Sequence, residues 1–407
     1  MAIRMTGSLN ISAVGRPAFF LIRLPVCVAQ RFACLTFLAY AFLAAWPVGA
    51  QRPALISPEV LQDRRVIFRF YAPKAQDVRV SFERGGQSLT KGAEGVWEAT
   101  LGPLDPGSYR YVFSVDGASV TDPRNIETER MQVVTRSILH VPGAAFMDIK
   151  NVPHGAVAVV NYYSGVLKKF RRFHIYTPPG YEANPKRYPV LYLLHGANES
   201  DDSWSTVGRA GFILDNLIAD GKAVPMIVVM PNGHVDQTPP DLSFLGRTLP
   251  SRPGGPQALR VELLDFPQEF AKDVMPYVES HYRTSADRAH RAIAGLSMGG
   301  SQTLNIALAN PEKYSAIGVF SSGILGENVA DWEKARLTTL DDPNSKKGLK
   351  MIWFSTGSDD SLITYTRATV EMLNRHGFNA TFEESSGAHT WVNWRNYLYQ
   401  FAPRLFR

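Results

Sequence analysis

The stretch that most constrains the fold is residues 291–300, Arg-Ala-Ile-Ala-Gly-Leu-Ser-Met-Gly-Gly. A short apolar strand runs into Gly295-Leu296-Ser297-Met298-Gly299, and a helix-forming segment follows. A serine hydroxyl becomes a usable nucleophile when a tight turn lifts it off the end of a strand. Glycines two residues before and after Ser297 leave room for such a turn. The pattern Gly-x-Ser-x-Gly also occurs by chance in loops, but the strand and helix around it predict a nucleophile elbow.

From Arg172 to the C-terminus, continuous apolar runs alternate with helical patterns. Such runs are typical of strands buried on both faces of a sheet. Their alternation with helices predicts a mainly parallel sheet covered on both sides, an α/β fold whose ligands bind beyond the carboxyl ends of the strands. The runs are Phe173–Tyr176, Val190–Leu194, Met226–Met230, Ala292–Ala294, Ile317–Phe320 and Met351–Phe354.

The preceding stretch, from about Arg65 to Pro142, has a period of two instead. Val66, Phe68 and Phe70 alternate with other residues, and Asp116-Gly117 is a hairpin turn pattern. Short strands at this spacing predict a small antiparallel β-sandwich. It could bind glycan, or it could pack beside the larger domain and shape its cleft; Trp97 and Tyr109 are expected in its core.

Candidate partners for Ser297 follow later strands. His389 lies in a loop after a predicted strand at Ala380–Glu383, and Asp359 and Asp360 follow Met351–Phe354. Serine, acid and histidine in this order along the chain are typical of α/β-hydrolases. From the residues alone, either aspartate could be the acid that orients the histidine.

Acyl transfer also needs two amide donors for the negative charge that develops on the carbonyl oxygen. One is expected from Met298, just after the serine. The other is expected from the turn His195-Gly-Ala-Asn198, and the backbone amide of Ala197 is the predicted donor. His195 itself is expected to shape this loop and not to act as a base.

The first fifty residues predict export. They hold four arginines, no acid and both cysteines, Cys27 and Cys34, and they include the apolar run Phe32–Trp46. Val48-Gly49-Ala50 suits a signal peptidase, so cleavage before Gln51 is expected, with a periplasmic or secreted product that has no stable membrane span. The alternative is an uncleaved anchor or a start site assigned too far upstream, because the basic leader is long for a signal peptide. Without this segment the formal net charge falls from +6 to +2. No basic stripe remains that would favour a nucleic acid partner.

The segments that carry chemistry resemble one enzyme family. Tyr176-Thr-Pro-Pro-Gly-Tyr181, Tyr188-Pro-Val-Leu-Tyr-Leu-Leu-His-Gly196, His290–Gly300, Gly357-Ser-Asp-Asp-Ser-Leu-Ile363 and Gly387-Ala-His389 are similar to segments of carbohydrate esterase family 1. This family includes feruloyl, acetylxylan and siderophore esterases. The resemblance implies an α/β-hydrolase fold and a catalytic triad of Ser297, Asp360 and His389, since its pattern Gly-x-x-Asp favours Asp360 over Asp359. The sequence has no His-Glu-x-x-His helix, no dinucleotide fingerprint and no P-loop, so no metal and no cofactor are expected.

The N-terminal stretch resembles the immunoglobulin-like domains of carbohydrate-binding-module family 48, at Val96-Trp-Glu98, Gly107–Tyr111 and Thr121–Asn125. The resulting domain prediction is a signal peptide at 1–50, a sandwich at 51–145, a linker at 146–171 and an esterase domain at 172–407. A Pro- and Gly-rich insertion, Asp236–Asp265, is expected to overhang the site.

The first functional hypothesis is hydrolysis of feruloyl esters of plant cell-wall polysaccharide, as in xylan degradation. The alternatives are an acetylxylan esterase, an esterase of catechol siderophores of the enterochelin type, or a glycan-binding protein without catalysis. The sequence does not indicate the oligomeric state.

Overall fold

A computed structural model describes residues 55–82, 85–132, 134–235 and 266–407 of the chain. The predicted signal peptide, 1–50, and the insertion at 236–265 lie outside these residues. In the described ranges, none of the helices combines the length and the apolar character that crossing a membrane requires.

The N-terminal part consists of two antiparallel sheets. Residues that alternate along their strands are buried, as Val66 and Phe68 are, and form one apolar core. One sheet has the order β1-β2-β6-β5 and the other β4-β3-β7-β10-β9, with β8 paired to β7. The strands are β1 (Glu59–Val60), β2 (Val66–Tyr71), β3 (Val78–Phe82), β4 (Gly86–Ser88), β5 (Thr90–Lys91), β6 (Val96–Leu101), β7 (Gly107–Val115), β8 (Ala118–Val120), β9 (Thr128–Arg130) and β10 (Thr135–Val141).

The C-terminal part is built on an eight-stranded mixed sheet of order β11-β12-β14-β13-β15-β16-β17-β18. Pairings are antiparallel from β11 through β12 to β14 and parallel from there to β18. The mainly parallel sheet predicted from the apolar runs is therefore confirmed. Its strands are β11 (Ala156–Ser164), β12 (Lys169–Thr177), β13 (Val190–Leu194), β14 (Ile227–Pro231), β15 (Arg291–Leu296), β16 (Ala316–Phe320), β17 (Met351–Gly357) and β18 (Thr381–Ser385).

Helices cover both faces of this sheet. Tyr192 and Leu194 of β13 face one apolar cluster with α2, α3 and α7, whereas Leu191 and Leu193 face the other with α1 and α8. The strands therefore bury side chains on both faces, and no polar alternation appears in their sequence. The helices are α1 (Ala210–Ala219), α2 (Met275–His281, after a π-helical turn at Phe270–Val274), α3 (Met298–Ala309), α4 (Val329–Ala335), α5 (Leu337–Asp341), α6 (Pro343–Lys346), α7 (Ile363–Arg375) and α8 (Trp391–Phe401).

The stretch 146–171, which we expected to be a linker, is not structureless. Residues 156–164 form the edge strand β11, paired along its whole length with β12. Most of its side chains are exposed. This stretch therefore extends the sheet of the C-terminal part.

Candidate active site

Ser297 lies on the sharp turn between β15 and α3. Its φ of 51° is in the region that residues with a side chain rarely adopt. The two flanking glycines allow the turn: a Cβ on Gly295 would lie 2.3 Å from the Gly299 carbonyl oxygen, and one on Gly299 would lie 2.4 Å from the His195 carbonyl oxygen. The turn therefore has the close packing and the backbone strain of a nucleophile elbow.

His389 reaches Ser297 from the loop between β18 and α8. Its Nε2 atom is 3.0 Å from the Ser297 hydroxyl oxygen. The edge of its ring lies against Trp394, with ring centroids 4.9 Å apart. The side chain remains 31% exposed, so a ligand in the cleft could approach it.

Asp360 contacts the other side of the histidine ring. Its carboxylate oxygens lie 2.9 and 3.0 Å from His389 Nδ1, and one of them accepts the Leu362 amide at 2.9 Å. Burial would raise the pKa of Asp360, but the hydrogen bonds from His389 and Leu362 outweigh it and hold the pKa below its usual value. The ionised carboxylate can only accept, so His389 Nδ1 carries the proton and Nε2 is free to accept from Ser297. The neighbouring Asp359 is exposed.

The predicted amide donors belong to two backbone segments next to the serine. Met298 is the first residue of α3, and the amide at this position has no acceptor within its own helix. Ala197 follows Gly196, where an added Cβ would lie 3.3 Å from Ser297 Cβ. Both amides therefore belong to backbone segments that adjoin the nucleophile.

The sequence reasoning missed Glu199, a buried residue that connects several parts of the site. Its carboxylate accepts the Gly196 amide at 3.0 Å and the Trp391 indole N–H at 2.9 Å. It therefore joins the turn that carries Ala197 to the helix that follows His389. A glutamate three residues after Gly196 was the only indication in the sequence, and it did not identify the partners.

The N-terminal sheets contact this same turn. Arg110 on β7 donates to Glu199 at 3.0 Å and to Glu129 on β9 at 2.5 and 2.6 Å. The Gln132 amide, just after β9, donates to the Asn198 carbonyl oxygen at 3.1 Å. The segment that carries one predicted amide donor is thus hydrogen-bonded to the β-sandwich.

Both ring nitrogens of His195 are bonded to backbone groups. Its Nε2 accepts the Gly233 amide at 2.9 Å, so Nδ1 carries the proton and donates to the Gly196 carbonyl oxygen at 2.8 Å. Burial lowers its pKa to about 4. The geometry fits the expected loop-shaping role, since a neutral ring links the glycine turn to the end of β14. Across the described ranges, no cluster of three or more His, Cys, Asp or Glu side chains is placed to hold a metal ion.

Several known proteins with similar sequences are named esterases. The family described as Putative esterase matches residues 164–405. The endo-1,4-beta-xylanase/feruloyl esterase of Xylanibacter ruminicola is 33% identical over 375 residues, which cover 89% of this chain and 47% of that protein. The chain therefore spans less than half the length of this relative, and the similarity extends beyond the region that the family matches.

Solved structures of esterases have the same fold. The CE1 ferulic acid esterase of the anaerobic fungus Anaeromyces mucronatus is 25% identical, with a TM-score of 0.54 over 65% of this chain and 96% of that one. The enterobactin esterase of Shigella flexneri is 19% identical, with a TM-score of 0.55 over 84% of this chain and 92% of that one, and at this identity it supports the fold alone. The family match covers more than half of the sequence and includes the serine turn, the acid and the histidine. This chain belongs to the esterase family.

Proposed function

We propose that this chain is a serine esterase that hydrolyses feruloyl, or similar hydroxycinnamoyl, esters of plant cell-wall polysaccharide. The observation that carries the mechanism is the chain of hydrogen bonds from Asp360 through His389 to Ser297. It places a base in contact with a hydroxyl on a strained turn, and an ionised acid behind that base.

In the first half-reaction, His389 Nε2 takes the proton of Ser297 as its oxygen attacks the ester carbonyl carbon. The negative charge then moves to the carbonyl oxygen, where the amides of Met298 and Ala197 would stabilise it. Asp360 stabilises the protonated imidazole. When the tetrahedral intermediate collapses, the bond to the alcohol oxygen breaks and the alcohol leaves with the proton from His389.

In the second half-reaction, water attacks the acyl-enzyme. His389 accepts one water proton, the hydroxide oxygen bonds to the acyl carbon, and a second tetrahedral intermediate forms. Its collapse breaks the bond to Ser297, which regains a proton from His389. The acid is released and the enzyme returns to its starting state.

The substrate class is supported by the relatives. The similar protein of X. ruminicola is named a xylanase and feruloyl esterase, and the fungal esterase has been solved in complex with ferulic acid. Both names point to an aromatic acyl group, and the name of the bacterial relative adds a polysaccharide, xylan. We infer the same substrate class for this chain.

We also infer the arrangement of the whole chain. Residues 51–145 would form an immunoglobulin-like domain of the carbohydrate-binding-module family 48 type, consistent with their two antiparallel sheets. The C-terminal part, from β11 (Ala156–Ser164) to Arg407, would form the esterase domain. Residues 1–50 would direct export, which suits a substrate outside the cell.

The test is release of ferulate from methyl ferulate by protein that begins at Gln51, compared with a Ser297→Ala variant. Turnover by the parent and a loss of at least about 10³-fold in the variant are expected, because no other group can form the acyl-enzyme. Equal turnover by both proteins would refute the serine mechanism. An inert parent would refute the feruloyl assignment, and acetylated xylan and catechol siderophore esters would then be tested.

A further inference from the structure

Ser322, two residues after the end of β16, donates a hydrogen bond to the backbone of the nucleophile. Its hydroxyl oxygen is 2.6 Å from the Ser297 carbonyl oxygen, whereas its other acceptor, the Gly323 carbonyl oxygen, is 3.4 Å away. A hydroxyl has one proton to donate, and the shorter contact receives it. The Ser322 side chain is fully buried, so bulk water does not compete for this bond.

The sequence leaves room for this contact at Gly300. A Cβ at that position would lie 2.5 Å from Ser322 Cβ and 2.8 Å from its hydroxyl oxygen. Gly299 has a different reason, since a Cβ there would meet Leu194 and His195. The second of the two consecutive glycines therefore leaves the space that the Ser322 side chain occupies.

Ser322 connects the serine turn to a neighbouring strand. The Ser297 carbonyl oxygen also accepts the amides of Gly300 and Ser301, at 2.9 and 3.2 Å, but both belong to α3 and would move with it. Ser322 belongs to the loop after β16, where the Thr366 hydroxyl of α7 donates to its carbonyl oxygen at 2.7 Å. The Ser322 hydroxyl is therefore a fixed point outside the helix that begins at the nucleophile.

The peptide group that Ser322 holds also carries a predicted oxyanion donor. The carbonyl of Ser297 and the amide of Met298 belong to one peptide group, which is planar and trans. In such a group the C=O and N–H bonds point in opposite directions, so a bond that fixes the carbonyl also fixes the direction of the N–H. We propose, on the basis of the serine esterase function proposed above, that Ser322 is a positioning residue that aims the Met298 amide at the developing oxyanion.

The first experiment removes only the hydroxyl. Loss of a whole oxyanion donor lowers kcat by about 10²- to 10³-fold, but in Ser322→Ala the Met298 amide stays and is merely less well aimed. We expect kcat on methyl ferulate to fall about tenfold and KM to stay within about twofold of the parent's, because the amide meets a charged oxygen only in the transition state.

Ser315→Ala is the matched control. Ser315 is also buried, lies just before β16, and donates to the carbonyl oxygens of Ala289 and Arg291 at 3.1 and 3.3 Å. Arg291 begins the strand that Ser297 follows, so this control removes the same kind of bond at the far end of β15. Its kcat should match the parent's.

The second experiment measures the oxyanion itself. Ser297 would add to the carbonyl carbon of an aryl trifluoromethyl ketone, its proton would pass to His389, and the hemiketal oxygen would lie in the oxyanion position. With ¹³C at the carbonyl carbon, the chemical shift followed against pH gives the acid dissociation constant of that oxygen. We expect this constant to fall at least about threefold in Ser322→Ala, since a poorly aimed amide stabilises the anion less. Ser315→Ala should leave it unchanged.

Equal kcat in the parent and Ser322→Ala would overturn the proposal. A lower kcat with an unchanged dissociation constant would overturn it as well, since Ser322 would then support the fold of the turn and not the direction of the amide. If circular dichroism shows that Ser322→Ala does not fold, Ser322→Cys takes its place. A thiol is a weaker donor than a hydroxyl, so the constant should fall in that variant too.

The proposed function can fail separately. A parent that forms the hemiketal but does not hydrolyse methyl ferulate would refute the feruloyl assignment, and the dissociation constants would still decide the role of Ser322. A parent that neither hydrolyses the ester nor forms the hemiketal would refute the serine esterase function and this inference with it. An active parent whose dissociation constant persists in the Ser322 variant would refute this inference alone.

Discussion

The two adjacent aspartates after β17 differ sharply in surroundings. Asp360 is 2% exposed, with its carboxylate against His389 and the Leu362 amide, whereas Asp359 is exposed. The same substitution at these two neighbouring positions is thus a matched comparison, because the side chains are identical and only their surroundings differ. Only one of them can keep His389 in the tautomer that accepts a proton from Ser297.

We therefore expect Asp360→Asn to lower kcat by about 10³- to 10⁴-fold, since an amide can favour the wrong tautomer and cannot stabilise the imidazolium. Asp359→Asn should stay within about threefold of the parent. Initial rates on methyl ferulate, with circular dichroism to verify folding, measure both variants. A larger loss in Asp359→Asn than in Asp360→Asn would reverse the assignment of the acid.

Among the secondary structure elements, the strand–turn–helix around Ser297 leaves little room for a side chain at its two flanking glycines. The turn brings the start of α3 against the end of β13, and Gly299 lies where a Cβ would also be 2.9 Å from Leu194 Cβ. Close contacts with backbone atoms cannot be relieved by a side-chain rotation. The helix start, the glycine turn at His195 and the serine would have to shift together.

Gly299→Ala should consequently reduce the free energy of unfolding by about 1–3 kcal/mol and lower esterase activity. The control is Gly211→Ala in α1, where the nearest atom to an added Cβ is 3.7 Å away. There we expect a neutral effect or a gain of up to about 1 kcal/mol, because alanine favours the helix. Urea unfolding of both variants measures the difference, and equal midpoints would contradict it.

The sequence predicted the elements with strong patterns and missed those without one. Buried parallel strands are unbroken apolar runs, so β13 and β14 were placed within one residue of their observed bounds. The edge strand β11 was taken for a linker because most of its side chains are exposed. Helices α4 and α5 were not predicted, since each buries only one side chain, Trp332 and Leu340.

The same reasoning explains what was predictable in the site. Ser297, His389 and Asp360 follow strands whose carboxyl ends lie on one edge of the sheet, and the structure brings the three together. The role of Glu199 could not be predicted, because its partners are Arg110, 89 residues earlier, and Trp391, 192 residues later. No local periodicity encodes contacts between side chains at such separations.

For the molecule as a whole, the contact between sandwich and esterase region is polar and buried. The Glu129 side chain is fully buried, and burial raises its pKa although the Arg110 guanidinium opposes this rise. Arg395 on α8 adds bonds at 3.0 Å to the Ser108 carbonyl oxygen and at 2.9 Å to that of Val207. Buried ions of this kind stabilise the fold only while each keeps its partners. Removing one of them leaves the others buried and uncompensated.

Removing Arg110 should therefore be costly. Arg110→Met would leave the carboxylates of Glu129 and Glu199 buried without their cation, so we expect the free energy of unfolding to fall by about 3–5 kcal/mol. The control is Arg69→Met in the same sandwich, whose partners Glu59 and Glu98 are 37% and 50% exposed. There the loss should be about 1 kcal/mol at most.

Adding Glu129→Gln to Arg110→Met should recover part of the loss, because it removes one stranded charge. Urea unfolding monitored by tryptophan fluorescence can follow all of these variants, since Trp391 adjoins the network and Trp97 lies in the sandwich. Similar losses in Arg110→Met and Arg69→Met would mean that the buried ions do not join the two parts. A large loss that the second substitution partly reverses would mean that the sandwich and the esterase region depend on each other for stability.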